Sequence, residues 1–406
     1  METNKPLVKN SAVLPVSLIL LAYIAFISLG LPDGLLGVAW PSLRNNFSRS
    51  LDSLGMLMAA SMVGYLISTF YSGTILSKIG VGWLLSLSCG LTGMALLGYT
   101  IVPFWWMLII LFIFSGLGAG AIDAGLNTYA AENFGERLMQ WLHASFGIGI
   151  TTGPVIMTFG INFFSSWRWG YILVGSAQVA LALCFASTVT MWDKKETRNG
   201  GVSQNSYMDS RPPMKETIKH LNVWLSALLF FIYSGIESSL GIWSYTLLTE
   251  SRNIPKEAAG FMVGSYWAMF TIGRILAGFF TKHIGMYSLI KISLAAAFAG
   301  GVLLLWNPFP LSSLAAVVII GFAIAPLFPG MVSLTEKRVS ARYTANTVGL
   351  QMSAGGIGIA VLPGMTGVLA QRISLEIIPW LNILWIVLLF GIFTYSSKHT
   401  IKLEKD

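Results

Sequence analysis

Residues 55–80 read GMLMAASMVGYLISTFYSGTILSKIG, and residues 260–285 read GFMVGSYWAMFTIGRILAGFFTKHIG. Laid 205 positions apart, they set Gly55, Gly73 and Gly80 on Gly260, Gly278 and Gly285. Each is an apolar run long enough to cross a bilayer, which takes about 20 residues of helix. A second match lies further along, where GIGITTGP from Gly147 falls on GIGIAVLP from Gly356 and Pro154 meets Pro363. A third sets Asp33 and Gly37 on Glu237 and Gly241. Three matches in chain order describe a chain built twice over, the pattern of membrane proteins that rock one half against the other.

The rest of the chain agrees with this reading. Of 406 residues, 55% are hydrophobic and 10% charged, against about 25% charged in soluble domains. So little charge cannot coat a protein for water, and lipid must be its main solvent. Twelve apolar runs predict spans at roughly 13–40, 53–77, 82–101, 104–131, 139–162, 168–191, 221–248, 257–281, 286–305, 310–335, 343–370 and 376–397. The fold class expected is an all-α membrane protein of twelve transmembrane helices in two pseudo-symmetric six-helix bundles. Residues 1–191 form the first bundle and 221–397 the second. The polar stretch 192–220, rich in charge, Gly, Ser and Pro, reads as a cytoplasmic linker with a short amphipathic helix, and 398–406 as a cytoplasmic tail.

Charge gives the orientation. With both termini inside, seventeen Lys and Arg side chains fall on inner segments, while the outer ones hold Arg44, Arg49, Arg168, Arg252, Lys256 and Arg372. That asymmetry obeys the positive-inside rule and predicts a multi-pass protein of the cell (cytoplasmic) membrane with both termini cytoplasmic. The net charge of +8 therefore reports topology, and no interleaved basic and aromatic surface suggests nucleic acid. The first run is too long for a signal peptide and reads as an uncleaved helix. Cys89 and Cys184 both fall inside spans and read as small buried hydrophobes, with no disulfide framework.

An ionisable side chain in hydrocarbon costs about 2.5–3.5 kcal/mol near a helix centre on insertion scales. Asp33, Asp123 and Glu237 are the acids well inside spans, and that cost makes them the first candidates for function. Asp33 lies in GLPDGLLG, where Gly30, Pro32, Gly34 and Gly37 are expected to interrupt the first helix beside a cavity. Asp123 lies in GLGAGAIDAGLN, whose glycines 116, 118 and 120 admit a partner helix closely. Asn127, four residues on, shares the face of Asp123. A carboxylate and an amide together suit a proton site or a hydroxyl-rich ligand. Asn127, Glu237, Trp243, Trp267 and Gln351 are the substrate-binding candidates, the two indoles as platforms for a sugar ring. Gln178 and Asn346 are further polar side chains that could face a cavity. Arg274, on the eighth span, is assigned to gating through a pair with an acid, and a single off-centre cation favours a neutral solute.

The loops at Gly73–Gly80 and Gly278–Gly285 resemble the loop signature of the major facilitator superfamily, with Ser77 and Lys282 where that family commonly has an acid. The Asp33 segment, GAIDAGLNTY in span four, LHASFGIGITTGP in span five and YSGIESSLGIW in span seven resemble the fucose–proton symporter family and related hexose carriers. The resemblance implies that the acids of helices one and four, Asp33 and Asp123, handle the proton and meet the sugar. The fourth-helix acid is often Glu in that family, one methylene longer than Asp123. His143 also matches a family position, where a packed or capping histidine is an equal reading.

The function expected is secondary active transport by alternating access: proton-coupled uptake of a sugar or similar small neutral polar solute. The alternative is a proton-coupled drug or metabolite exporter, since GIGITTGPVIMTFG in span five partly resembles the signature of drug–proton antiporters. No phosphate-cradling loop and no metal-spaced cluster of His, Cys and Asp occurs in the sequence, so no cofactor, no metal and no enzymatic activity are expected. The partners are a sugar-like solute, protons as coupling ion and the lipid bilayer. By resemblance, the carrier works as a monomer.

Overall fold

The computed structural model describes residues 15–134, 136–192 and 213–403. The linker sequence 193–212 and residues 404–406 of the expected tail lie outside the described residues. The long helices are α1 (Val16–Asn46), α2 (Leu54–Tyr99), α3 (Trp105–Asn133), α4 (Glu136–Phe164), α5 (Arg168–Ser187) and α6 (Leu221–Thr246). They continue with α7 (Lys256–Ile284), α8 (Met286–Trp306), α9 (Pro310–Ile324), α10 (Ala341–Arg372) and α11 (Ile377–Leu403). No strand occurs among the described residues.

Ten helical segments among the described residues are long and apolar enough to cross a membrane, one of them the whole of Leu51–Tyr99. That segment turns at Gly80, whose φ of 79° lies outside the helical region, so it holds two spans. Helix α7 carries Glu257, Arg274 and Lys282 and is less apolar, yet it packs among the others as one more span. Twelve membrane helices result among the described residues. The repeat is written into the backbone as well. Gly80 and Gly285, matched in sequence, have φ of 79° and 75°, and Ser48 and Asn253, also 205 apart, have φ of 51° and 53°. Glycine is favoured where φ is positive because it has no Cβ to clash.

Packing repeats too. In the first half α1 lies on α4, and α2 on α3 and α5; in the second, α6 lies on α10 and α11, α7 on α9, and α8 on α9 and α11. Gly149 of α4 presses on the carbonyl of Ile27, and its counterpart Gly358 of α10 presses on that of Phe231. Apolar burial gives no drive in lipid, so small residues that admit backbone to backbone carry helix association. Gly116 and Gly120 of α3 pack in the same way on Ser61 and Tyr65 of α2, and Gly118 on Ser88 and Thr92.

Two expectations change here. Helix α1 is not interrupted: it runs through Pro32 and Pro41, and Gly30 and Gly34 pack on the α4 backbone at Phe146 and Ile150. The glycines serve close approach and do not unwind the helix. Cys89 is buried, but Cys184 is exposed on the outside of its helix. Near the expected linker, a single turn at Met214–Thr217 packs on the start of α10, with Tyr343 donating to Glu216 at 3.0 Å and Asn346 to Thr217 at 2.9 Å.

The two halves meet along α1–α6, α2–α10 and α4–α7. At the end remote from the start of α1 (the distal end) they close tightly. Gly37 packs on Gly241 and Ile242, Gly55 on Gly364, and Gly367 on Asp52. The Leu51 amide donates to Gln371 at 3.0 Å, and Arg44 donates to both carboxylate oxygens of Glu250 at 2.8 and 2.7 Å. Toward the proximal end α2 and α10 part. A Cβ at Gly73 or Gly349 would meet nothing within 4 Å, and Phe70 and Tyr71 stand exposed. The molecule is closed distally and open proximally.

Candidate functional site

Asp33 sits midway along α1, followed by a run of buried residues from Gly34 to Trp40, yet its own side chain is exposed. A polar group exposed at that depth faces a cleft between the halves, and the proximal opening supplies the way in. Asp33 acts electrostatically on Glu237 in the other half and on Tyr65 in its own.

On the first-half wall, Asp123 of α3 is held from two sides. The Tyr65 hydroxyl of α2 donates to Oδ2 at 2.5 Å, and Asn127 Nδ2 donates to Oδ1 at 2.8 Å. Both bonds follow from the helices: Asn127 is one turn below Asp123, and Gly120 lets α3 lie against the backbone of Tyr65. Asp123, Asn127 and Tyr65 are all half-buried, so one edge of the cluster remains open to the cleft.

Glu237 of α6 stands on the second-half wall, with Arg274 Nη2 of α7 3.8 Å from its Oε1. At that distance the pair attracts without a hydrogen bond. The Arg274 guanidinium lies over Phe270 at 4.3 Å and near Phe328 at 5.9 Å, a cation–π seat that holds it while leaving it 35% exposed. Tyr233, one turn before Glu237, sits in the field of both charges, and Tyr266 donates its hydroxyl to the Glu237 carbonyl at 2.9 Å. His143 of α4 is exposed, packs edge-on to Phe26 at 5.5 Å, and interacts with both Asp123 and Arg274. The four charged candidates therefore converge: Asp33, Asp123, Glu237 and Arg274 are linked to one another through Tyr65 and His143.

Three candidates are not on the cleft in this conformation. Trp243 is fully buried, with Nε1 donating to the Pro363 carbonyl at 2.9 Å and its ring against Gly367. Trp267 is 5% exposed and wedged between Tyr266, Phe270 and Gly241. Gln351 is fully buried and exchanges hydrogen bonds with Thr335, at 2.9 and 3.2 Å. Each sits on the predicted helix but on the face that packs against a neighbour, so none is placed to meet a solute here. Gln178 is likewise buried within its bundle. Arg274 is near an acid, Glu237, the kind of pairing expected for it from the sequence. Tyr65 and Tyr233 were not among the sequence candidates. Tyr233 carried a signal, the four-residue spacing to Glu237, whereas Tyr65 resembles any other aromatic in a span.

A cleft between two six-helix halves, with membrane-buried charge on its walls, defines a solute carrier rather than an enzyme. The family model of the Major Facilitator Superfamily matches residues 22–363 and again 247–399, and the chain belongs to that superfamily. Among curated relatives, it is 24% identical to Bypass of stop codon protein 6 of Saccharomyces cerevisiae, over 88% of this chain and 78% of that protein. It is 22% identical to mouse Sodium-dependent glucose transporter 1A, over 86% and 88%. Glucose/mannose transporter GlcP of Bacillus subtilis is 21% identical over 86% of each. In fold, it is similar to a bacterial homologue of the human lysosomal transporter Spinster, with TM-score 0.80, 13% identity and 95% and 98% of the two chains covered. A D-xylose–proton symporter gives 0.73, 15% identity, and 93% and 97% coverage.

Proposed function

We propose that this carrier couples the entry of a sugar, or a similar small neutral polar solute, to the entry of protons. The observation that carries the reading is the Asp123 carboxylate, bonded by Tyr65 and Asn127 and open on one edge to the cleft. Protonation neutralises a carboxylate whose charge lipid and protein disfavour, and the solute's hydroxyls then bond to Asn127 and Glu237. Asp33 and Glu237, on opposite walls, are both unfavourable as anions when the halves approach, so a proton on Asp33 eases the rocking step. Arg274 balances Glu237 while the cleft is open. The relatives named for glucose or mannose support a hexose, and the neutral class fits a cleft in which Arg274 is already beside an acid.

In this reading residues 1–191 and 221–397 rock as two units joined by 192–220. The protein lies in the cell membrane with both termini in the cytoplasm, and it works as a monomer. The proximal opening then faces the cytoplasm, so the conformation described is inward-open.

The test is uptake of radiolabelled hexoses by purified protein in liposomes, under an inward proton gradient, an inward sodium gradient or none. An Asp123→Asn variant runs beside the native chain. Proton-driven accumulation that the variant loses, with exchange retained, is the expected result. Accumulation driven by sodium alone would reassign the coupling ion. No hexose signal under any gradient would overturn the sugar assignment and promote proton-coupled export of drugs or metabolites.

A further inference from the structure

Six basic residues occupy the distal segments, and most of them are accounted for. Arg44 is bound to Glu250 and Arg252 to Glu376, while Arg49 and Arg372 are exposed, Arg49 lying over Trp105 at 5.5 Å. The remaining two, Arg168 and Lys256, have no carboxylate partner among the described residues, and both line one distal cavity of about 540 Å³. Its wall includes Ser42, Asn46, Asn162 and Ser165 but no Asp or Glu. Glu257, next to Lys256 in sequence, is not on that wall.

We infer that this cavity is an anion site, taking a carboxylate or phosphate group between Arg168 and Lys256. Arg168 is already oriented for the task. Its Nε donates to the Thr100 carbonyl at 3.0 Å, its Nη2 to Asn46 Oδ1 at 3.1 Å, and its plane lies over Trp167 at 4.8 Å. A guanidinium held in this way loses little freedom on binding an anion. Lys256 is exposed, and its flexible four-carbon stem lets the ammonium close on the same group. Two like charges facing one polar cavity repel, and an anion removes that repulsion while hydroxyl and amide groups complete its shell. The volume lies in the range of small-molecule sites, so it admits a small organic acid as well as inorganic phosphate. Phe163, Phe164 and Trp169, all exposed beside the cavity, would equally let the phosphate of an anionic lipid reach it.

The site also reports conformation. Ser42, Asn46 and Arg168 belong to the first half, and Lys256 opens α7 of the second. Distal opening must separate them. By linkage, an anion bound across the seam favours the distally closed state and slows return to the distally open one.

The test uses the full chain in nanodiscs of neutral phosphatidylcholine, titrated with inorganic phosphate by calorimetry. In parallel, spin labels on Arg49→Cys and Arg372→Cys, with both native cysteines replaced by serine, report the distal separation. Expected are saturable phosphate binding, a shift of the distance distribution toward the short, closed population, at least tenfold weaker binding in Lys256→Gln, and recovery in Lys256→Arg. If phosphate is without effect but nanodiscs of phosphatidylglycerol give the short distance, and Lys256→Gln abolishes that, the site holds and its anion is the lipid phosphate. Binding that Lys256→Gln leaves unchanged, or no response to either phosphate or phosphatidylglycerol, overturns the inference.

Discussion

The Tyr65 hydroxyl lies 2.5 Å from Oδ2 of Asp123, joining the second and fourth spans at the wall of the cleft. Tyr65 also lies in the field of Asp33, so one phenol stands between the two acids proposed to carry the proton. Tyr65→Phe keeps the ring and its packing but removes the donor. Gradient-driven hexose accumulation in liposomes should fall roughly ten- to a hundredfold, the effect of losing a hydrogen bond to a carboxylate worth about 1.5–3 kcal/mol, while exchange without a gradient persists. Undiminished accumulation would remove Tyr65 from the coupling path.

Gly149 and Gly358 offer a test of the packing. An alanine at either places a methyl on the backbone carbonyl of Ile27 or Phe231, and the helices must separate to admit it. Overpacking of this kind costs about 1–3 kcal/mol. Gly349→Ala is the control, since a methyl there meets nothing within 4 Å. Thermal unfolding in detergent should show a lowered midpoint for Gly149→Ala and Gly358→Ala and none for Gly349→Ala.

Most of the fold was legible because lipid imposes strict demands on sequence. Apolar length marks a span, and the recurrence of Gly80 at Gly285 marks the turn that ends spans two and eight. The charged positions stood out for the same reason: Asp33, Asp123 and Glu237 are costly in hydrocarbon, and the structure brings them together. What stayed hidden was direction around each helix. Trp243 and Gln351 lie on helices that do border the cleft, but the sequence has no polar face to show which side turns inward, because both lipid and the bundle interior accept apolar residues. Pro32 misled in a related way, since α1 accommodates it without a break while Gly30 and Gly34 pack on α4.

Trp243 turns that misreading into a prediction. Its indole N–H is buried and bonded to the Pro363 carbonyl, so it ties α6 to α10. Trp243→Phe removes that cross-helix bond while the carbonyl keeps its helical donor within α10, at a cost of about 0.5–1.5 kcal/mol. The midpoint of thermal unfolding should fall, with KM for the transported solute unchanged. A raised KM at native stability would restore the tryptophan to the binding surface.

Glu376, outside the spans, sets a pH dependence. Arg252 donates to its two oxygens at 3.0 and 2.8 Å, and Ser251 adds a bond at 2.8 Å. The Arg252 hydrogen bonds, with that of Ser251 and the charge of Arg252, hold its carboxyl below the usual glutamate range, against the opposing effect of burial. The bonded anion therefore stabilises the fold above the unfolded-state value of about 4.3, and that contribution is lost as pH falls through the lower folded value. With the side chain 42% exposed, solvent screening keeps the contribution to about 0.5 kcal/mol. The midpoint difference between the native chain and Glu376→Gln should be present at pH 7 and vanish once the pH has fallen below the lowered folded-state value.

Arg44 and Glu250 form the one ion pair that crosses between the halves among the described residues, Nη2 reaching both carboxylate oxygens, and it exists only while the distal ends touch. Its side chains are 20% and 29% exposed, so the attraction is partly screened and worth about 1 kcal/mol. Arg44→Gln or Glu250→Gln should therefore shift the balance toward the distally open state by about fivefold, read as a longer distance between distal labels. The reversed pair, Arg44→Glu with Glu250→Arg, should return the distance to native. Recovery in the reversed pair separates a gate from ordinary packing, because only the attraction across the seam is rebuilt. Labels that stay close in all three variants would mean that the glycine contacts at Gly37, Gly55 and Gly367 close the distal end without help from charge.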